Sequence, residues 1–275
     1  MIKKVKHYLF YGGLGFLSAF AMLSLLLIIG YIFINGLPHI NWEFLSTEPK
    51  RMGKEGGVLS IIVGTIYLTI LSIIIATPIG IAAAIFFTEY SAGKGWVAPI
   101  RFFTEILAGI PSIIFGLFGF SFFVIFLKLG WSLLSGGLTL AIMILPTLIR
   151  ATEESLKTVP MSYREGSLSL GASKLQTIVK VIIPSCLPGI LTGLILGIGR
   201  AIGETAAVML TLGSNLKMPT SIFDSTRTLS VHLYTLSSEG ISLEKTYATA
   251  SLLIILVLII NTIANSITNK YIVKS

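Results

Sequence analysis

Apolar residues in this chain come in long runs separated by short polar connections, and the length of each run limits what it can be. The first run reaches about Ile34 behind the basic leader Lys3, Lys4 and Lys6. Others extend from about Val58 to Phe87, Ile100 to Lys128, Leu138 to Ile149, Leu187 to Leu212 and Thr246 to Ile267. Roughly 20 apolar residues cross a hydrocarbon core about 30 Å thick, so the pattern predicts an all-α membrane protein with six transmembrane helices. The fourth run is short for a crossing unless it begins near Trp131. Pro78 inside the second run predicts a kink. Gly109-Ile110-Pro111 predicts a broken or bent third helix, tolerable in lipid only where protein or water covers the freed backbone groups. Trp42 and Trp96 fall near the edges of apolar runs, in an outer loop and a turn. Ala19-Phe20-Ala21 imitates a signal-peptidase site, yet the apolar run continues well past it, so an uncleaved first helix is expected. The chain divides accordingly into a first helix with its outer loop (1–57), a five-helix core (58–268) and a short tail (269–275).

One connection departs from this pattern. Residues 152–184 form a long polar stretch between two apolar runs. Ser162 and Glu165, flanking Tyr163 and Arg164, have the spacing of a capping box, which predicts a short helix starting near Ser162. Gly171 can take the left-handed conformation that ends it, and Ser173 with Gln176 repeats the capping spacing for a second start. Leu175, Ile178, Val179, Ile182 and Ile183 then share one helical face, with Lys174, Thr177 and Lys180 turned away. This helix is expected to lie along the membrane surface until Pro184 stops it.

Composition supports the membrane reading: of 275 residues 54% are hydrophobic and 12% charged, with a mean hydropathy of +0.90. The net charge of +8 is scattered through connecting loops with no aromatic-interleaved basic patch, so no nucleic-acid partner is expected. It reads as topology instead. Six crossings put both termini on one side, and that side carries twelve Lys and Arg against seven on the other. The excess places both termini and the 152–184 loop in the cytoplasm of a multi-pass cell-membrane protein. The single cysteine, Cys186, excludes an intrachain disulfide, and His7, His39 and His232 have no metal-ligand spacing, so no metal site is expected. No His-Glu-x-x-His, Gly-x-Ser-x-Gly or paired intramembrane carboxylates occur, and no catalytic residue is expected.

Two charges fall inside the fifth run. At about 1.5 Å per residue Arg200 lies roughly 17 Å from Gly189, near the middle of the bilayer. An arginine there costs about 2.5–3.5 kcal/mol on insertion scales and should face protein or water. Glu204, four residues on, is its natural helical ion-pair partner. Gly189, Gly193 and Gly197, and separately Gly199 and Gly203, allow close packing on neighbours. Two readings stand side by side. In one the pair locks two helices; in the other Arg200 draws an oxyanion into a pathway with its planar donors, and Glu204 holds the arginine between passages. Arg101 and Glu105, one turn apart, are expected to pair at the interface.

The 152–184 loop resembles that of the membrane-spanning permease subunits of bacterial ABC importers, whose pattern is Glu-Ala-Ala, three residues, Gly, nine residues, Ile-x-Leu-Pro. Here Glu165-Gly166-Ser167 is followed at the same offsets by Gly171 and by Val181-Ile182-Ile183-Pro184. Gly166 and Ser167 replace alanines, which keeps the small size but weakens the helix by up to about 1 kcal/mol at the glycine. The resemblance implies that this loop, with Ser162, Arg164, Glu165, Gly166, Ser167, Gly171, Ala172 and Pro184, couples the chain to a cytoplasmic ATPase. Four further stretches resemble the phosphate importer permeases within that family: Ile198-Gly199-Arg200-Ala201-Ile202-Gly203-Glu204-Thr205-Ala206, Gly56-Gly57-Val58 with Ile79 to Tyr90, Ala108-Gly109-Ile110-Pro111-Ser112-Ile113, and Val231-His232-Leu233-Tyr234. They are closer to the PstA type than to its PstC-type partner. This implies a type I ABC importer permease fold, a PstC-type partner permease, a homodimeric PstB-type ATPase, an extracytoplasmic PstS-type phosphate-binding protein, and phosphate as substrate. It also implies no cofactor in this chain, ATP and magnesium being bound by the ATPase. Leu134-Ser135-Gly136-Gly137 copies the start of the ABC ATPase signature, but no Gly-x-x-x-x-Gly-Lys-Ser/Thr accompanies it, so it reads as a glycine turn. Three rivals remain: a secondary phosphate symporter using Glu204 or Glu105 for protons, a permease for another oxyanion, and a scaffold or sensor without transport.

Overall fold

The computed structural model describes residues 2–91, 95 and 97–272. Trp96 and the last three residues of the tail lie outside the described residues. In chain order the helices are α1 (Ile2–Gly36), α2 (Trp42–Ser46), α3 (Leu59–Ile85), α4 (Val97–Gly109), α5 (Ser112–Gly119), α6 (Leu133–Thr158), α7 (Met161–Ser169), α8 (Lys174–Thr177), α9 (Ile183–Gly203), α10 (Ala206–Thr211), α11 (Leu229–Ser238) and α12 (Leu243–Ile272). A two-residue antiparallel hairpin, β1 (Pro49–Lys50) with β2 (Glu55–Gly56), interrupts them. Among the described residues five helical stretches are long and apolar enough to cross a membrane: Phe10–His39, Leu59–Tyr90, Leu133–Thr158, Lys174–Gly203 and Leu243–Ser266. The pair α4 with α5 and its π-helical extension to Phe126, bent by 101°, is together long and apolar enough to form a broken sixth crossing or a re-entrant loop. The bend falls at Ile110-Pro111, as the Gly-Ile-Pro motif predicts, because Pro111 has no N–H to continue the α4 ladder.

The core forms around α6. Leu140, Met143, Ile144 and Leu148 are fully buried against Leu68 and Ala76 of α3 and Ala201 of α9. Small residues let the backbones approach. The row Gly189, Gly193 and Gly197 lies on α6, where added side chains would meet Ser155, Ala151 and Ile144 in turn. Ser155 Oγ fastens the same contact by donating to the Cys186 carbonyl (2.7 Å). Gly197 also faces Ile73. Ile73 and Ile144 are each near the midpoint of a crossing helix, so Gly197 marks the middle of the bundle.

Four sequence expectations are corrected. First, α6 begins at Leu133, where Ser132 accepts the Ser135 N–H (3.2 Å), and it runs to Thr158 instead of ending near Ile149. Leu134 to Gly137 therefore form its first turn and are no glycine turn; Gly136 and Gly137 leave room for Leu68 and Leu71 of α3. Second, α7 starts at Met161 behind Pro160, and Ser162 caps nothing. Pro160 fixes the entry of the chain, so Ser162 is already inside the first turn. Third, Pro184 does not stop the helix. The chain passes from α8 through a π-helical turn (Ile178–Ile182) into α9. In that turn the Ile183 N–H reaches back five residues to the Ile178 carbonyl. Pro184 then enters as the first turn of a new α-segment, where its missing N–H is tolerated. The shared apolar face is split as a result: Ile178 and Ile182 are buried in the bundle while Leu175 and Val179 are exposed.

Fourth, at the end of the bundle away from α7, the Ser/Thr-rich stretch 213–245 holds α11, and α12 starts at Leu243 and continues to Ile272, taking in the described part of the tail. Thr228 caps α11 through the Val231 N–H (3.4 Å). Phe44, Val58, Ile61, Leu229 and Ala248 form a separate apolar cluster there. The second capping box and the glycine turn are found as predicted. Ser173 Oγ accepts from Gln176 N–H (3.3 Å) and Gln176 Oε1 from Ser173 N–H (2.8 Å). Gly171 has φ +85°, and the N–H groups of Gly171 and Ala172 close on the carbonyls of Leu168 and Ser167 (2.9 and 3.2 Å), a Schellman end.

Candidate functional site

The α7–α8 region is held by one arginine. Arg164 donates to Glu89 at the end of α3 (2.7 and 3.1 Å to Oε1), to the Leu156 carbonyl (3.0 Å) and to the Val159 carbonyl (2.8 Å). Both side chains are nearly buried, 13% and 10% exposed. At that depth removing one partner strands a charge at a cost on the order of 3–5 kcal/mol. The carbonyls belong to the C-terminal end of α6, where a cation is favoured by the helix dipole. Lys174 adds to the same point: its Nζ donates to the Glu89 carbonyl and lies 4.6 Å from the centre of the Tyr90 ring. Ser167 Oγ meets Thr177 Oγ1 (2.9 Å), tying α7 to α8. Glu165 and Gly166 face outward, and a cleft of about 690 Å³ opens beside Glu89, Pro160, Met161, Leu168 and Lys174.

Behind this point lies a layer of ion pairs between different helices. Arg101 does not meet Glu105. It bonds the buried Glu153 of α6 (3.2 Å) and the Phe87 carbonyl (3.2 Å), while Glu105 pairs with Arg150 (2.8 Å). Partners on another helix displaced the one-turn neighbour. The Arg150–Glu105 pair is half exposed and contributes at most about 1 kcal/mol.

Arg200 is on the last turn of α9, one turn beyond Gly197, whose neighbours Ile73 and Ile144 sit near the midpoints of α3 and α6. Its expected partner is elsewhere. The helix ends at Gly203, and Glu204 turns into extended backbone (φ −72°, ψ 128°). Its carboxylate caps α10 through the Ala207 N–H (3.2 Å), and its carbonyl accepts from Ser230 Oγ (2.7 Å). An i,i+4 pair needs a helix that continues, and this one breaks. Arg200 forms no ion pair with any described residue. Thr192, Leu196 and Gly203 are exposed on the same side of α9. Gly199, read as half of a second packing pair with Gly203, has nothing within 4 Å. That stripe of α9 is uncovered.

Arg227, passed over in the sequence as a loop residue, is 5% exposed at the other end of the bundle. Its Nε donates to Ser214 Oγ (2.8 Å) and its Nη1 lies 3.4 Å from His232 Nδ1. Burial, then the nearby charges of Arg227 and Lys245, push His232 down to about 3. The unfolded chain takes up that proton near 6.5, so between those values it binds more protons than the folded one. The stabilisation is complete above about pH 6.5 and is lost as pH falls toward 3. Acidifying the detergent-solubilised protein from about pH 7 to about pH 5 is therefore expected to remove on the order of 2 kcal/mol of stability. Thermal unfolding of His232→Gln should show a much smaller drop over the same interval; an equal drop in both proteins would assign the effect to other groups.

An all-α bundle of up to six crossings, one bent, with a short helix pair projecting from one end, is the architecture of type I ABC importer permeases. A bacterial alginate ABC transporter superposes with a TM-score of 0.69 at 15% identity, covering 98% of this chain and 96% of that one. The chain belongs to the binding-protein-dependent transport system inner membrane component family, whose model matches residues 76–272. Among relatives, YqgI of Bacillus subtilis, named as a probable ABC transporter permease protein, is 30% identical over 253 residues, 87% of this chain and 86% of that protein. The phosphate transport system permease protein PstA of Xylella fastidiosa is 34% identical over 189 residues, covering 68% of this chain and 66% of that protein. Permeases of this family work with a partner permease, an ATPase in a separate chain and a binding protein. Membership favours that energy-coupled class over the symporter and the scaffold.

Proposed function

We propose that this chain is a permease subunit of an ATP-driven phosphate importer. It lines the translocation path with a PstC-type partner, seats α7 on a homodimeric PstB-type ATPase, and receives phosphate from a PstS-type binding protein on the opposite side. Both termini and α7 face the cytoplasm in this reading, in line with the excess of Lys and Arg on that side. The observation that carries it is Arg200: a guanidinium near mid-depth, with no ion-pair partner among the described residues, beside an uncovered stripe of α9. A charge at the depth of a membrane crossing is costly unless something compensates it, and a tetrahedral oxyanion offers the acceptors that a planar fork fits. The helix bearing it is continuous with α8, which the Ser167–Thr177 contact ties to α7, so the proposed ATPase seat is linked to the anion site through one side-chain contact and one π turn. Glu204, capping α10, keeps a carboxylate within a few residues of Arg200 without neutralising it. PstA-named relatives at about 34% identity support the choice of phosphate.

The test is uptake by membrane vesicles carrying the assembled importer. Radiolabelled phosphate should accumulate only with ATP, survive an uncoupler, and be displaced by arsenate far better than by sulfate. Accumulation of sulfate or molybdate in its place would move the chain to another oxyanion importer.

A further inference from the structure

Arg164 uses four of its five N–H groups, and they are divided between two crossing helices. Two go to Glu89 at the end of α3, and two to the carbonyls of Leu156 and Val159 at the end of α6. One side chain of α7 thus grips both neighbours at once. Lys174, the first residue of the helix that carries Arg200, reaches the same place through the Glu89 carbonyl and the Tyr90 ring. The backbone there is unusual as well. Glu89 lies within a π-helical segment, Phe86–Tyr90, and α8 leaves through a second one, Ile178–Ile182. Single π turns interrupt the α ladder and recur at functional positions, because a shift of one hydrogen-bond partner lets the helix re-register without unfolding. Rigid linkage at Arg164 and soft turns on the two helices leaving it are the parts of a lever.

We infer that Arg164 and Glu89 transmit movement of α7 to α3, with the π turn at 86–90 as the joint, in parallel with the covalent route through α8 into α9. Ile73 of α3 borders Gly197, one turn from Arg200. A tilt of α3 therefore reaches the anion site from a second side. Arg164 and Glu89 touch no substrate and act as positioning residues. The inference rests on the reading of α7 as the ATPase seat.

The experiment measures ATP hydrolysis and phosphate uptake on the same vesicles containing the complete importer. Glu89→Gln keeps the carbonyl contacts of Arg164 and removes the charge; Arg164→Lys keeps the charge and cannot reach the carboxylate and both carbonyls together. In both, uptake per ATP hydrolysed is expected to fall about tenfold while hydrolysis continues. Glu89→Asp should recover most of the ratio. A purely structural clamp would lower the yield of assembled complex and leave uptake per ATP unchanged in what assembles. That result overturns the inference, as does failure of both variants to assemble. If no ATPase co-purifies with the unaltered chain, the reading of α7 has failed; if it does and the ratio holds in the variants, only the linkage has.

Discussion

Replacement of Arg200 by alanine is expected to lower phosphate uptake about a hundredfold or more while the complex still assembles. The size follows from desolvation. An anion leaving water for the middle of the bundle loses hydration worth several kcal/mol, and a difference of about 2.7 kcal/mol is already a hundredfold. No described residue forms an ion pair with the Arg200 guanidinium, and Glu204 is engaged with Ala207. Its loss strands no ion-pair partner among the described residues. Arg200→Lys should fall between, since it keeps the charge and loses the planar fork. Labelled-phosphate uptake, together with recovery of the partner subunits on a tagged chain, separates the two effects. Wild-type uptake by Arg200→Ala would remove the anion pathway from this helix.

What the sequence made legible was what depends on neighbours along the chain. Apolar runs located the crossings though not their ends, Gly109-Ile110-Pro111 located the 101° bend, Gly171 and Ser173-Gln176 located the turn between α7 and α8, and the row Gly189, Gly193, Gly197 marked a close-packing face of α9 without naming its neighbour. What it hid depends on partners far away. Arg101 chose Glu153, 52 residues on, over Glu105, and Arg164 chose Glu89, 75 residues back. The one-turn rule behind the Arg200–Glu204 pair assumes an unbroken helix, and Ser230, 26 residues beyond Glu204, accommodates the break by donating to its carbonyl. At Pro184 the hidden feature is local: a π turn just ahead of it converts a helix interior into a helix start. The consequence for function is large, because a helix that had stopped at Pro184 would have separated the loop from Arg200.

Exchange of Leu170 for glutamate is expected to detach the chain from its ATPase. Leu170 is 90% exposed at the C-terminal end of α7, and Met161, Tyr163 and Leu168 along the same helix are 64%, 52% and 49% exposed. These side chains project from the end of the bundle, past the ion-pair layer of Arg101, Glu105, Arg150 and Glu153. Neither the core nor the lipid-facing surface of the crossings accounts for them, and apolar groups clustered at such a surface mark a contact. Covering one leucine contributes about 1.5–3 kcal/mol, and a carboxylate in the same place reverses the sign through its own desolvation. The combined change corresponds to at least about a hundredfold in affinity. The fold should not suffer, since only the backbone of Leu170 is used internally, in its bond to the Gly166 carbonyl (3.2 Å). Recovery of ATPase on the tagged chain from mild detergent should collapse for Leu170→Glu and persist for Leu170→Met. Set beside Arg200→Ala, which keeps the ATPase and loses transport, the pair of variants separates the seat of the motor from the path of the anion. Equal ATPase recovery with Leu170→Glu would mean that the apolar end of α7 is not where the motor sits.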